Sequence, residues 1–346
     1  MKIGILGYTQ SGKKSLFTLL TTRAIPPGRK EQESIEGVAM VRDPRVDMLS
    51  KLVQPERTRY AETNVVLLPD LEQGSKDRYW LEAARRCDLL CVVVRAFVSE
   101  SVYHPAGSVD AERDRANLEA ELLLADLELV EKRLDRMSKE KRAGQTPAQV
   151  MEESVLVKCR ETLEAGGALR DLTLEEHQAK AIRSLGLLSM LPVLWTYNVD
   201  DQHITDNPWR DQKDSFVVSC LIEQEIAGLQ DESERREYMQ SLGLESSGLD
   251  RLNRAAYDML GLMSFYTVGK DEVRAWTIRK GSRAPEAAGK IHSDIERGFI
   301  RADIIKYDAF VAAGGEDAVR KSGQENLRGK EYVIEDGDIA HFRFNV

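Results

Sequence analysis

Eight residues near the start of the chain, Gly7-Tyr8-Thr9-Gln10-Ser11-Gly12-Lys13-Lys14, have the composition and spacing of a loop that wraps backbone N–H groups around nucleotide phosphates. In the pattern G-x-x-x-x-G-K-[ST] the lysine reaches the outer phosphates and the final hydroxyl holds Mg²⁺. Lys13 fills the first role. The last position is Lys14, whose ammonium has donors and no acceptor and so cannot ligate a metal. It would instead neutralise phosphate directly. Ser15 carries a hydroxyl one position on, but one step along a helix turns a side chain by about 100°. The candidate phosphate-binding set is therefore Gly7, Gln10, Ser11, Gly12, Lys13, Lys14 and Ser15, with Ser15 also the candidate metal hydroxyl. The implied cofactor is ATP or GTP, and Lys14 leaves Mg²⁺ open.

The flanking residues supply the elements such a loop needs. Lys2 to Leu6 is a short apolar run with β-branched residues and reads as a strand. Ser15 to Leu20 reads as the start of a helix, whose N-terminal dipole favours a bound anion. Val65 to Leu68 and Leu89 to Val94 are continuous apolar runs, as in strands buried on both faces of a parallel sheet. Between about Arg115 and His177, Leu118, Leu122, Ala125 and Leu129 take helical spacing. Gly144-Gln145-Thr146-Pro147 breaks that run, and a second helix is expected from Val150 to Leu163, closing a helical hairpin. Strands resume at Leu191 to Tyr197 and at Phe216 to Val218. Beyond Ser264 a strand is expected at Val273 to Ile278, a helix at Ala284 to Arg297, and paired strands at Tyr332 to Ile334 and Ile339 to Phe344. The fold class is α/β: a P-loop NTPase parallel sheet at 1–114 and 188–263, a helical hairpin inserted at 115–187, and a small α+β domain at 264–346.

Composition bounds the function classes. The 346 residues carry a net charge of −9 and are 42% apolar, which suits a globular protein and argues against a surface coated for nucleic acid. No apolar run approaches the roughly 20 residues of a membrane span, so no membrane partner is expected. The sequence opens on an expected strand, so no signal peptide is expected, and Cys87, Cys91, Cys159 and Cys220 lack paired C-x-x-C spacing. Core thiols in a reducing, cytoplasmic setting follow.

Several strings resemble the YchF/Obg-like ATPases, P-loop NTPases of the translation-factor class. Glu272 to Ile278, Ala284-Pro285-Glu286-Ala287-Ala288-Gly289, Ile291-His292-Ser293-Asp294 and Phe344-Asn345-Val346 look like that family's TGS domain. Asp43-Pro44-Arg45-Val46-Asp47 resembles the stretch after its first switch loop, and Ala125-Asp126-Leu127 its helical insertion. The resemblance covers essentially the whole chain and implies a purine-nucleotide-binding protein with weak ATP or GTP hydrolysis that associates with the ribosome or RNA. Arg279-Lys280-Gly281-Ser282-Arg283, Arg297 and Arg301 are the candidate basic patch for such a partner.

Departures from the family cluster in the active site. Its loop ends Gly-Lys-Ser-Thr, against Gly12-Lys13-Lys14-Ser15 here. Its first switch reads Thr-Ile-Glu-Pro-Asn-Val-Gly, whereas Ser34-Ile35-Glu36 runs straight into Gly37. The second switch should read Asp-x-x-Gly. In Leu68-Pro69-Asp70-Leu71-Glu72-Gln73-Gly74 the proline takes the aspartate's register, which leaves Asp70 as the candidate metal ligand or else an exposed turn carboxylate. Base reading falls to Asn198 and Asp201 within Asn198-Val199-Asp200-Asp201, and to Ser219, Cys220 and Leu221, with ATP and GTP both open. His104 resembles the family's catalytic histidine, which stands in for the water-orienting Gln of Ras-like enzymes. With these losses the alternative reading is a non-catalytic pseudo-NTPase acting as a ribosome, RNA or protein binding module.

Overall fold

A computed structural model describes residues 1–345 apart from 29, 73, 75, 76, 141–144, 322, 324 and 325. Expectations for Gln73, Gly144 and Val346 lie outside the described residues. In chain order the first elements are β1 (Lys2–Gly7), α1 (Lys13–Thr21), β2 (Ile35–Val41), α2 (Pro44–Val53), β3 (Arg57–Arg59), β4 (Ala61–Leu67), α3 (Leu81–Ala84) and β5 (Leu89–Arg95). Next come α4 (Ala111–Glu140), α5 (Pro147–Glu164), α6 (Glu176–Ile182), β6 (Val193–Asn198), β7 (Ser215–Val218), α7 (Cys220–Gly228), α8 (Glu232–Ser241) and α9 (Gly248–Met259). The chain ends with β8 (Leu262–Val268), β9 (Glu272–Arg279), α10 (Ala284–Ile291), α11 (Ser293–Arg297), β10 (Phe299–Lys306), α12 (Tyr307–Ala313), α13 (Glu316–Lys321), β11 (Asn326–Arg328) and β12 (Asp338–Phe344).

Two compact units divide the chain: Met1–Gly37 with Asn64–Leu249, and Val38–Thr63 with Asp250–Val346. The inserted hairpin belongs to the first unit. Residues 38–63, expected in the nucleotide-binding domain, join the second, whose main segment begins at Asp250 rather than at 264.

The first unit holds β1, β5, β6 and β7 whole, with Asn64–Leu67 of β4 beside β1. β1 lies parallel to β4 on one side and β5 on the other, and β6 and β7 continue in parallel. Every residue of β5 is buried, which its unbroken apolar run requires. The core beside it contains Leu6, Trp80, Val92, Trp195 and Tyr197, and Leu118, Leu122 and Ala125 of α4 pack into it. Further along, α4 changes partner: Val130 and Met137 meet Val155, Leu156 and Cys159 of α5. The stripe of Leu118, Leu122, Ala125 and Leu129 thus serves two cores in turn. Arg133 clasps Glu152 through two bonds of 2.7 and 2.9 Å, and a capping box between Thr146 and Gln149 with Pro147 in the first turn starts α5. Fully buried Asp126 accepts from Leu188 N at 2.9 Å, Ser189 N at 2.6 Å and Ser189 Oγ at 2.7 Å, fastening the hairpin to the segment that leads into β6.

The second unit holds a mixed sheet of order β11-β10-β12-β8-β9-β3. Its edge strand β3 comes from residues 38–63 and pairs in parallel with β9. The core joins Phe265, Ile278, Ala284, Ala288, Ala302 and Phe342. Two sequence expectations need correction. Tyr332 to Ile334 is not a strand; Val333 makes only a bridge to Arg283, and β12 pairs with β10 and β8 instead. The expected helix over 284–297 is broken at His292, whose extended backbone (φ −162°) ends α10 and whose Nδ1 accepts from Asp294 N at 3.1 Å to start α11.

The Asp43-Pro44-Arg45 string is a structural knot within this unit. Asp43 caps α2, accepts from Arg45 N and Nε at 3.0 Å, and takes the Tyr266 hydroxyl at 2.5 Å. Arg45 also reaches Asp336 at 2.7 Å. Burial opposes the charge on Asp43, but its hydrogen bonds from Arg45 and Tyr266 outweigh it and hold the carboxyl below its usual range.

Candidate nucleotide-binding site

The phosphate loop leaves β1 at its C-terminal end, between strands β4 and β5, where ligands of open α/β sheets gather. Its backbone takes the turns the sequence implies. Gln10 and Gly12 are left-handed at φ 59° and 96°. A Cβ on Gly12 would lie 2.1 Å from Asn198 Nδ2, so only glycine fits there. α1 begins at once, with no side-chain cap and no acidic residue in its first turn, so its leading amides retain their preference for an anion.

Asn198 braces the loop from behind. It is 4% exposed, donates from Nδ2 to Ser11 O at 3.1 Å, and accepts from Cys220 N at 3.0 Å. One side chain thereby ties together the phosphate loop, the end of β6 and the start of α7. Ser219 uses its hydroxyl to cap α7 by accepting from Ile222 N. Cys220 is buried, which pushes its thiol up to about 12 and keeps it protonated. Asp201 and Leu221 are exposed, and Asp201 Oδ1 accepts from Gln202 N at 3.0 Å. Of the five candidate base residues, Asn198, Ser219 and Cys220 also hold the framework together. Asp201 and Leu221 remain open to a ligand.

Lys13 is 2% exposed and folds back over its own loop, donating to Gly7 O at 2.7 Å and Tyr8 O at 3.2 Å. It also forms an ion pair with Asp70. Asp70 is therefore not the exposed turn carboxylate that its shifted register suggested. Burial works against its charge, but Lys13, then Lys14 and the Thr9 hydroxyl, hold the carboxyl below its ordinary range. Thr9 was not among the sequence candidates. Its hydroxyl and its position in the loop were the only available signals.

These residues do not fit a magnesium ion. The position that should offer a hydroxyl carries the exposed ammonium of Lys14, and the nearby carboxylate faces two cations. Ser15 is half-buried one residue beyond. Among the described residues, no group of three or more His, Cys, Asp or Glu side chains is placed to hold a metal.

His104 is buried, and both its ring nitrogens are engaged. Nδ1 accepts from Ala106 N at 3.2 Å, which leaves Nε2 to donate to Asp114 at 2.8 Å. In this arrangement the ring's one lone pair is taken by Ala106 N and its one N–H by Asp114, so the ring would have to break one of these bonds to orient water. Buried Arg95 staples the same loop by donating to the carbonyls of Phe97, Val102 and Tyr103, a tie the sequence did not signal. The shortened first switch is fastened too: Glu36 pairs with Lys2 at 2.6 Å, and its carbonyl accepts from Arg23.

The expected basic patch is largely neutralised. Lys280 pairs with Asp258, Arg283 with Glu331 and Arg297 with Asp294. No helix among the described residues is long and apolar enough to cross a membrane. All four cysteines are buried free thiols.

Comparison with known proteins follows the same outline. The family model YchF-GTPase_C, described as a protein of unknown function (DUF933), matches residues 262–345. The chain is 37% identical to the ribosome-binding ATPase YchF of Haemophilus influenzae, with 100% of this chain and 99% of that protein covered. It is 38% identical to the protein of the same name from Escherichia coli O157:H7, again covering 100% and 99%. The solved structure of the Schizosaccharomyces pombe YchF GTPase superposes with a TM-score of 0.82 at 31% identity, covering 99% of this chain and 97% of that one.

Proposed function

The chain belongs to the YchF family, and from that premise we propose that it binds a purine nucleoside triphosphate on Gly7–Ser15, hydrolyses it weakly, and associates with the ribosome. The observation that carries the nucleotide reading is the loop itself: left-handed Gln10 and Gly12, an uncapped α1 and a buried Lys13, all braced by Asn198. A triphosphate would lie against the leading amides of α1, with Lys13 on its outer phosphates and Lys14 adding a second ammonium. Asp201 and Leu221 are the side chains open to the base, and they suit ATP or GTP. Ribosome association rests on the names of the relatives.

Slow turnover follows from the donor set. Phosphoryl transfer relies on positioning and on neutralising developing charge. Here a lysine stands where the metal-binding hydroxyl should be, and His104 is held by Asp114. Each missing contact would cost on the order of 10²-fold. The same two observations favour a second reading, a nucleotide-binding module without turnover.

Calorimetry with ATP and GTP, with and without Mg²⁺, followed by a phosphate-release assay, separates the readings. Metal-independent binding with slow release supports the enzyme, and binding with release at background supports the module. Failure of both ATP and GTP to bind defeats both readings. Lys14→Ser is expected to make binding depend on Mg²⁺.

A further inference from the structure

Asp70 is positioned by the backbone on both sides of it. Leu68 N donates to Ile5 O at 3.0 Å and Leu71 N to Gly7 O at 3.2 Å, so the chain tracks β1 on either side of Pro69-Asp70 and sets the carboxylate over the phosphate loop. There it meets the Lys13 ammonium, accepts from the Thr9 hydroxyl and faces Lys14. The pair is sheltered, with 3% of the Lys13 side chain and 17% of the Asp70 side chain exposed. An anion paired with one ammonium, bonded by one loop hydroxyl and lying in the field of a second ammonium has chemical surroundings close to those of a terminal phosphate.

Given the reading of Gly7–Ser15 as a nucleotide site, we propose that Asp70 is a built-in competitor of the nucleotide, holding Lys13 in the ligand-free protein and giving way when a triphosphate arrives. A buried ammonium left without an anion is costly, so Lys13 needs one in either state. Binding then exchanges one anion for another. Because Leu71 is bonded to the loop one residue later, the displacement also loosens the start of the segment that follows β4.

The test titrates fluorescent analogues of ATP and GTP, in EDTA, into the full-length wild type, Asp70→Asn, Lys13→Ala and the double variant. Wild type is expected to bind, and Asp70→Asn to bind about tenfold tighter, since one charge-assisted contact no longer competes. In the Lys13→Ala background the Asp70 substitution is expected to change nothing. Hydrogen exchange on the wild type gives a second readout that needs no variant: the Leu71 amide should exchange faster with nucleotide bound. If wild type binds and Asp70→Asn binds equally or less tightly, or if nucleotide protects the Leu71 amide, the competitor is refuted and the nucleotide site stands. If neither protein binds, the site reading falls and takes the competitor with it.

Discussion

Two sheltered carboxylate–cation pairs, one in each unit, behave as different devices. Asp43 is closed on every side. Arg45 supplies a backbone and a side-chain donor, Tyr266 adds a hydroxyl, and the far edge of the guanidinium is anchored on Asp336. Each of those groups is already satisfied by its own unit, so no external anion has anything to gain there. Asp70 pairs with Lys13 above a loop whose backbone is shaped for an anion. The comparison teaches that a buried pair is a fastening when its partners exhaust one another, and a gate when one partner sits in a better-furnished anion site than its mate can fill.

Breaking the fastening should have the largest effect. Arg45→Ala takes the guanidinium from both Asp43 and Asp336, leaving Asp43 only the Tyr266 hydroxyl and one backbone N–H, and is expected to cost about 3 kcal/mol in urea unfolding. Breaking the gate from the cation side comes next. Lys13→Ala should weaken nucleotide binding by roughly 10- to 100-fold, read by calorimetry, with a smaller change in unfolding. A wild-type-like affinity would remove Lys13 from the site. Asn198→Ala takes a bond from both Ser11 O and Cys220 N, and is expected to cost about 1–2 kcal/mol of stability while also loosening nucleotide binding.

Acid should reach both pairs. Their carboxyls sit below the usual range when folded, so the unfolded chain binds more protons near pH 4. The stability they give is present above the unfolded value and is lost as pH falls through the folded one. Replacing Asp43 or Asp70 by Asn should therefore flatten the loss of stability between neutral pH and about pH 3. An unchanged acid slope would contradict the ion-pairing described. The smallest effect belongs to exposed pairs: Lys139→Ala, which removes a partner of Asp135 on the surface of α4, should leave the melting temperature unmoved.

The strand–turn–helix at Gly7–Ser15 was legible because its signals are local: glycine spacing, a lysine and a strand–helix context lie within one short stretch. The buried strands β5 and β6 were legible for the same reason, their apolar runs having only one comfortable environment. For Asp70 the sequence left a metal ligand and an exposed turn carboxylate both open and did not signal the pairing with Lys13, because its place is set by the Leu71-to-Gly7 backbone bond, which no motif spacing encodes. Residues 38–63 were assigned to the first domain because they are adjacent to it in sequence. Their pairing with β9 is long-range and leaves no periodic trace. Asn198 was flagged for the base, and its amide also braces the loop through one donor and one acceptor, a role that depends on where β6 ends in space.

The excursion of residues 38–63 means that neither unit is a contiguous stretch of chain. During synthesis β3 and α2 emerge early, but the strand that β3 lies against is made only much later. A ribosome translating this protein must expose an unpaired edge for most of the message, an invitation to mispairing. The same arrangement defeats simple dissection: a fragment starting at Asp250 would lack β3 and leave Tyr266 without Asp43.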